Sequence, residues 1–142
     1  MERILGLDLG TTTLGMAIND SIGIAAHPYE NFTFEPHNYK KARLHVKEVV
    51  EKENIKTIVL GYPLNMDGRK GERATSVERF KSDLEKEIEG ITIILVDERL
   101  SSVEAHERLF ASGLELKKHK AMIDAVAASV ILGTYLNKKE SK

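Results

Sequence analysis

The predicted fold class is α/β, a mixed β-sheet flanked by helices, and three observations lead to it. Three β-type segments come first, and helical and β-type segments then alternate, as expected when an antiparallel meander is followed by helix crossovers. The chain has 142 residues, and it is 42% hydrophobic and 30% charged. This length and composition are typical of one globular domain, which we expect to span residues 1–142.

The first elements are predicted as a β-hairpin followed by a third strand. Arg3 to Leu9 is apolar and ends at Gly10, and a second apolar stretch runs from Leu14 to Ile18. A third strand is expected from near Gly23 toward Phe34, and a proline within that stretch weakens it or places it at a sheet edge.

The middle of the chain predicts a helix, a short strand and a loop. Asn38 is a suitable N-cap for a first helix. Apolar residues follow it at helical spacing: Ala42, Val46, Val49 and Val50. Thr57 to Leu60 is a short β-rich run, and Asn65 to Arg73 is polar, contains two glycines and reads as an exposed loop.

Two capping boxes predict the starts of further helices. Thr75 with Glu78 predicts a second helix, and Ser101 with Glu104 predicts a short one that ends near Gly113. Between them, Ile91 to Val96 is almost continuously apolar, which favours a central buried strand. A long helix rich in small residues is expected over Ala121 to Leu136.

Composition excludes several classes of site. The chain has no cysteine, so it has no disulfide, thiol nucleophile or cysteine-bound metal. The net charge of -1 means that nucleic-acid binding would need a local basic patch or bound cations. No apolar run approaches about 18 residues, and no secretory signal is recognisable. We therefore expect a soluble, cytoplasmic protein without a membrane partner.

Asp8 is the first of three acidic residues in unusual surroundings. It interrupts an apolar strand and shares one face with Gly6 and Gly10, so the space beside its carboxylate is expected to be open to a metal ion and a phosphate. The alternative is that Asp8 hydrogen-bonds a nearby loop or helix terminus.

The other acids are at the end of a strand and on a helix. Asp97 and Glu98 end the most hydrophobic strand, and alternation lets only one of them reach a given site; the alternative is a solvated strand end paired with Arg99. Asp124 interrupts an apolar helix face, where it could face the sheet or simply pair with Lys120.

Together these acids suggest a metal centre. Converging carboxylates repel each other unless a divalent cation supplies charge, and oxygen-only ligands suit Mg²⁺ or Mn²⁺. Two such ions can activate water and stabilise the leaving oxygen in phosphodiester hydrolysis. Candidate nucleic-acid contacts are the hydroxyl or amide of Thr11 and a loop and a helix start that are rich in basic residues, although such clusters also occur as solvated surface. The candidate nucleic-acid-binding residues are Thr11, Asn65, Arg73, Lys118 and Lys120.

Several motifs in order resemble the YqgF (RuvX) family of Holliday junction resolvase-like and pre-16S rRNA processing nucleases, within the ribonuclease H-like superfamily. The matching motifs are GLDLG at 6–10, GMAIND at 15–20, GYPLNMDG at 61–68, DERLSS at 97–102 and IDAVAA at 123–128. The resemblance covers nearly the whole chain. One departure is that Thr12 and Thr13 stand where the family's hairpin turn usually carries a basic residue.

The resemblance implies a five-stranded mixed sheet and an acidic metal-binding triad of Asp8, Glu98 and Asp124, with Asp97 as a possible fourth ligand. It also implies that Arg73 and Lys120 contact substrate phosphates. The expected activity is Mg²⁺- or Mn²⁺-dependent hydrolysis of precursor ribosomal RNA or branched DNA. Whether the protein is a monomer or a homodimer stays open, as do endo- or exonucleolytic cleavage and the number of metals.

Two other functions compete with the nuclease hypothesis. The same basic loops could serve a nucleic-acid-binding module without catalysis, whose binding would be sensitive to salt but independent of Asp8. The threonine-rich turn after Gly10 also resembles the first phosphate motif of actin-like ATPases. That family binds nucleotide between two related domains, whereas 142 residues supply only one.

Overall fold

The computed structural model describes residues 2–20, 25–65, 67–97 and 116–140, with side chains in the last range described for residues 123–137. The elements are β1 (Ile4–Leu9), β2 (Thr13–Asn19), β3 (Ala26–Thr33), α1 (Tyr39–Glu53), β4 (Thr57–Tyr62), α2 (Glu72–Glu87), β5 (Thr92–Asp97) and α3 (Leu116–Glu140). The predicted start of the third strand at Gly23 and the predicted helix after Ser101 lie outside the described residues. No helix in the described ranges is long and apolar enough to cross a membrane.

The strands form one mixed sheet of five, in the order β3-β2-β1-β4-β5. β1 pairs antiparallel with β2, and β2 pairs antiparallel with β3, so the predicted hairpin and meander are confirmed. β4 pairs parallel with β1 and with β5. The predicted α/β class with a mixed sheet is therefore confirmed.

β5 was predicted to be central, and this prediction was wrong. Within the described residues, β5 pairs only with β4 and forms an edge of the sheet. Its Leu95 packs with one hydrophobic core and its Val96 with the other. Both faces of the strand are apolar because helices lie on both sides of the sheet. A continuous apolar run therefore indicates that both faces of a strand are covered, but it does not indicate where the strand lies in the sheet.

Helix α1 begins and packs as the sequence predicts. The Asn38 side chain accepts a hydrogen bond from the backbone N–H of Lys41 (3.4 Å), which satisfies one of the unpaired amides of the first turn. The predicted apolar stripe is the buried face of the helix: Ala42, Val46, Val49 and Val50.

Helix α2 begins earlier than the predicted capping box. Its first residue is Glu72, and its N-cap is Gly71, which has an extended backbone and offers no side-chain cap. Thr75 lies inside the helix, where its hydroxyl donates to the Gly71 carbonyl (3.3 Å). Glu78 is bonded to residues outside the helix. The capping-box interpretation of Thr75 and Glu78 was therefore wrong.

The sheet separates two hydrophobic cores of different construction. On one face, α1 and α2 cover large side chains, among them Leu5, Leu7, Ile58, Phe80 and Leu84. On the other face, α3 packs on the sheet through a second core that mixes aliphatic side chains with alanine and includes Ile4, Ala17, Val59, Ala128 and Leu132. Asp8 follows the alternation of Ile4 and Gly6, so it belongs to the α3 face.

Candidate metal and nucleic-acid site

Helix α3 lies directly against the backbone of β1 and β2, and glycines make this approach possible. A Cβ atom added to Gly15 would collide with the carbonyl oxygen and carbon of Asp124. A Cβ atom on Gly6 would lie 2.8 Å from the Leu132 Cβ and 3.0 Å from the Ala128 carbonyl oxygen. Both positions therefore require glycine for the helix to sit where it does.

This packing brings Asp8 and Asp124 to the same place on the sheet. Asp8 is the antiparallel partner of Gly15, so their Cα atoms are about 5 Å apart. Gly15 in turn contacts the backbone of Asp124. Both aspartates are half-buried, and Ala125 and Ala128 beside Asp124 are buried. The backbones of two acids from opposite ends of the chain are thus brought close together on the α3 face, at the carboxyl end of β1.

The open space predicted beside Asp8 is partly filled. The sequence suggested that Gly6 and Gly10 leave room for a ligand, but at Gly6 the room is taken by α3. At Gly10 a Cβ atom would lie 3.1 Å from the Thr13 hydroxyl. The glycine at position 6 therefore serves helix packing, and that part of the prediction was wrong.

Strand alternation places Asp97 on the opposite face from Asp8. Asp97 is the register partner of Tyr62, and both Tyr62 and Leu95 pack with the core under α1 and α2. Val96, between Leu95 and Asp97, packs with the core under α3. Alternation along β5 therefore does not favour Asp97 as a companion of Asp8 and Asp124. Glu98, the other acid predicted here, lies outside the described residues.

The donor pair fits a hard divalent cation. Two half-buried carboxylates on one face supply oxygen ligands of the kind that Mg²⁺ and Mn²⁺ prefer. Among the residues that the structure describes, no three histidine or acidic side chains are grouped closely enough to hold a metal ion. Asp8 and Asp124, two of the three predicted ligands, lie on the same face of the sheet, and the third, Glu98, lies outside the described residues.

Arg73 is fixed beside the same end of β1. Its Nη2 donates a hydrogen bond of 2.8 Å to the carbonyl oxygen of Leu9, the residue after Asp8. Arg73 lies in the first turn of α2, and its side chain is exposed. The bond places a permanent positive charge at the carboxyl end of β1, and the phosphate contact stays a prediction.

Thr11 lies in a turn that is braced by the segment before α1. The carbonyl of Thr11 accepts a hydrogen bond from the His37 amide (2.9 Å), and that of Thr12 accepts one from the Phe34 amide (2.9 Å). Thr11 is exposed and lines a small cavity with Arg73 and His37. His37, which has a positive φ of 63°, was not singled out from the sequence, because the strand turn and the α1 start are joined only in the fold.

The remaining predicted nucleic-acid residues occupy a loop and a helix start. Asn65 is exposed, donates its backbone N–H to the Arg69 carbonyl (2.9 Å) and accepts from the Gly68 amide (2.8 Å), so it closes a turn in the loop after β4. Lys118 and Lys120 lie in the first turns of α3, and their side chains are outside the described part of the chain.

A cluster centred on Glu78 joins this loop to α2. Glu78 Oε2 accepts a hydrogen bond from the Tyr62 hydroxyl (2.8 Å) and lies 2.8 Å from the Lys70 Nζ. The Lys70 ammonium and then the Tyr62 hydroxyl lower the pKa of Glu78, and the bond to Glu78 raises the pKa of both Lys70 and Tyr62. No sequence spacing relates these three residues, so this cluster could not have been predicted.

Comparisons with known proteins agree with this architecture. The family model described as "RuvX: Holliday junction resolvase" matches residues 2–138. A Lachnospira eligens protein named "Putative pre-16S rRNA nuclease" is 40% identical over 97% of this chain and 99% of its own length. A protein of the same name from Mycoplasmopsis pulmonis is 43% identical over 95% and 92% of the two chains.

Solved structures support the fold. Thermus thermophilus RuvC, solved with a Holliday junction substrate, is similar with a TM-score of 0.62 at 17% identity, covering 97% of this chain and 96% of RuvC. The fowlpox virus resolvase is similar with a TM-score of 0.57 at 14% identity, covering 96% and 98% of the two chains. The expected ribonuclease H-like, RuvC-type fold is confirmed. Because the family model and the relatives both span nearly the whole chain, the chain belongs to the RuvX family of nucleases.

Proposed function

We propose that the chain is a divalent-metal-dependent nuclease that processes the end of precursor 16S ribosomal RNA. The observation that carries the proposal is the meeting of Asp8 and Asp124 across Gly15. The proposed third acid is Glu98 rather than Asp97, because alternation assigns Asp97 to the other face of the sheet. The proposed substrate implies action in the cytoplasm.

The two aspartates would hold the metal. Carboxylates that share a half-buried site repel each other, and a divalent cation offsets that repulsion. When bound, Mg²⁺ or Mn²⁺ would lower the pKa of water and stabilise negative charge on the leaving oxygen. The glycine contacts fix the backbone of Asp124 relative to β1, so the acid pair is set before substrate arrives.

Basic residues would orient the nucleic-acid backbone. The bond from Arg73 to the Leu9 carbonyl fixes the guanidinium at the end of β1, where a phosphate approaching Asp8 would meet it. Lys118 and Lys120 precede Asp124 on α3 and would contact neighbouring phosphates. Thr11 and Asn65 are exposed on loops near this end of the sheet and would contact the same strand.

Ribosomal RNA is the preferred substrate because the relatives that cover the whole chain at about 40% identity carry the name of a pre-16S rRNA nuclease. Branched DNA is the second candidate, favoured by the description of the family model. The two differ in the assembly they need, since symmetrical resolution of a junction requires a dimer, whereas trimming an RNA end does not.

The site is tested by comparing the wild-type chain with Asp8→Asn and Asp124→Asn on labelled precursor RNA. Each variant should lose at least about 100-fold in Mg²⁺-dependent cleavage, since loss of a direct ligand exceeds the 10–100-fold cost of losing an outer-shell partner. Glu85→Gln, an exposed carboxylate on α2 that pairs with Lys81, is the control and should cleave like the wild type.

The outcomes separate the competing functions. Equal cleavage by the wild-type and Asp8→Asn chains would overturn the assigned site. Salt-sensitive RNA binding without turnover by any of the four proteins would favour the non-catalytic module. Cleavage of four-way junctions in preference to precursor RNA would favour the second substrate.

A further inference from the structure

Helices α1 and α2 enclose a groove on the sheet face opposite to Asp8 and Asp124. The groove has a volume of about 160 Å³. Phe80 is buried at its floor, and Thr75, Ser76 and Arg79 line its α2 side. The groove is also lined by the partly exposed ring of Tyr39. It therefore combines an aromatic ring with hydroxyl and guanidinium groups, which is the composition of a site for a nucleic-acid strand.

The groove continues toward the end of β1. The small cavity that Thr11 and Arg73 line also includes Tyr39 and Ser76, and both of these residues line the groove. Tyr39 is held by edge-on ring contacts with Phe34, His37 and Phe80 at 6.0–6.5 Å. The shared residues form a continuous path from the strand that carries Asp8 to the side chain of Arg79.

The positive charge available in the groove belongs to Arg79. Arg43 also lines it, but its Nε lies 3.1 Å from Glu87 and its Nη1 lies 3.6 Å from Asp83. Arg43 is therefore paired with two carboxylates, of which Asp83 is the one among the described residues that line the groove. Arg79 is exposed and has no ion pair with any residue in the described ranges.

Arg73, Ser76 and Arg79 recur every three residues along α2. Six residues of helix span about 9 Å, which corresponds to about two or three nucleotides if they stay stacked at 3.4 Å of rise, as in one strand of a duplex. A strand with one phosphate at Arg73 can therefore present a second phosphate to Arg79.

We propose that this groove is a second backbone subsite, which holds an unpaired segment of the substrate strand two or three nucleotides away from the phosphate at Arg73. Arg79 binds the phosphate, and the Ser76 hydroxyl donates to its oxygens. Tyr39 forms the wall along which the strand passes from one cavity to the other. The proposal rests on the proposed function and extends it to how single-stranded ends are held.

The subsite predicts that binding depends on strand length. Wild-type and Arg79→Ala chains are titrated with single-stranded RNA oligonucleotides of increasing length at several salt concentrations. Beyond the length that reaches Arg79, the variant should bind about threefold to tenfold more weakly, the range expected for one hydrogen-bonded contact. The slope of the logarithm of its binding constant against the logarithm of salt concentration should become shallower by about 0.7, the value for one phosphate on a single strand. Lys81→Ala, on the same helix and paired with Glu85, is the control and should match the wild type.

Equal binding of long RNA by Arg79→Ala and the wild type would overturn the proposal, as would a loss that is the same at every length. Arg79→Lys should restore most of the salt slope, because the slope reports charge. Wild-type cleavage is measured beside binding. If the wild type cleaves RNA but the binding loss of Arg79→Ala does not depend on RNA length, the subsite is wrong and the nuclease function stands. If the binding loss depends on RNA length but the wild type does not cleave, the proposed function is wrong and the subsite stands.

Discussion

The two faces of the sheet are packed in different ways. Under α1 and α2, leucine, isoleucine and phenylalanine side chains keep the helices away from the strands. Under α3, Gly6 and Gly15 let the helix backbone touch the sheet, and Ala17 and Ala128 complete the contact. The first face resembles an ordinary protein interior, whereas the second brings main chain against main chain.

Because of this difference, we expect one face to contribute most of the stability and the other to set the spacing of the two aspartates. A thick layer of large side chains buries more apolar surface, so we expect it to contribute more to the free energy of unfolding. The layer under α3 also buries Ile4, Val59 and Leu132, but it is thin where Gly6 and Gly15 meet the helix, and there it leaves little freedom in the distance between helix and strand. Asp8 and Asp124 lie on the thin side, where their spacing is set by backbone contact.

The largest expected effect is on stability and concerns the core under α1 and α2. Leu84 is fully buried there, and Leu84→Ala should lower the free energy of unfolding by about 2–5 kcal/mol. The cleavage rate of the protein that remains folded should not change, because Leu84 is on the opposite side of the sheet from the aspartates. Chemical denaturation and cleavage at low temperature measure the two quantities, and a large loss of rate in the folded protein would contradict the separation.

The next largest effect is on both stability and cleavage and concerns the face that α3 covers. Gly15→Ala should cost about 1–3 kcal/mol of stability, since the added carbon meets backbone rather than a flexible side chain. It should also reduce cleavage in the folded protein, because Asp124 must move away from Asp8. Gly133→Ala is the matched control on α3, where an added carbon meets no atom of the described residues within 4 Å. That change should stabilise the helix by about 0.5–1 kcal/mol without loss of cleavage.

If Gly15→Ala lowered stability but left the cleavage rate unchanged, the close contact would be a packing feature only. If Gly133→Ala reduced cleavage as much as Gly15→Ala, the effect would belong to α3 as a whole and not to its contact with β2.

The smallest effect concerns the cluster centred on Glu78, which joins the loop after β4 to α2. Because Lys70 and Tyr62 lower the pKa of Glu78, its contribution is fully present above its ordinary value near 4.5 and is lost as the pH falls through the folded value. Glu78→Gln should therefore be less stable than the wild type near pH 7, and the difference should shrink in acid. Thermal unfolding between pH 7 and pH 3 measures it, and a difference that does not vary with pH would exclude the ion pair as its cause.

Local features of the fold were predictable, and non-local ones were not. The start of α1 follows from Asn38 and its buried stripe from four apolar positions, since both depend on neighbours within a few residues. The edge position of β5 depends on strand order, which apolar content does not encode. The start of α2 was missed because Gly71 has no side chain to signal a cap.

The site shows the same division. Asp8 and Asp124 could each be singled out because they interrupt apolar patterns, and the family motifs group them. Their meeting depends on the register of Asp8 with Gly15 and on the seat of α3, neither of which is visible in local spacing. The role of Gly6 was misjudged for that reason: alternation shows that Gly6 and Asp8 share a face, but not which element covers it.

The contact between Gly15 and Asp124 also sets the point in chain synthesis at which the two aspartates can come together. Translation delivers β1 and β2 early, but the acid pair cannot assemble until α3 has emerged from the ribosome and docked across them. Fragments released before that point would bear only one of the two aspartates. If the two aspartates hold the proposed metal, cleavage would therefore begin only after synthesis of the last helix is complete.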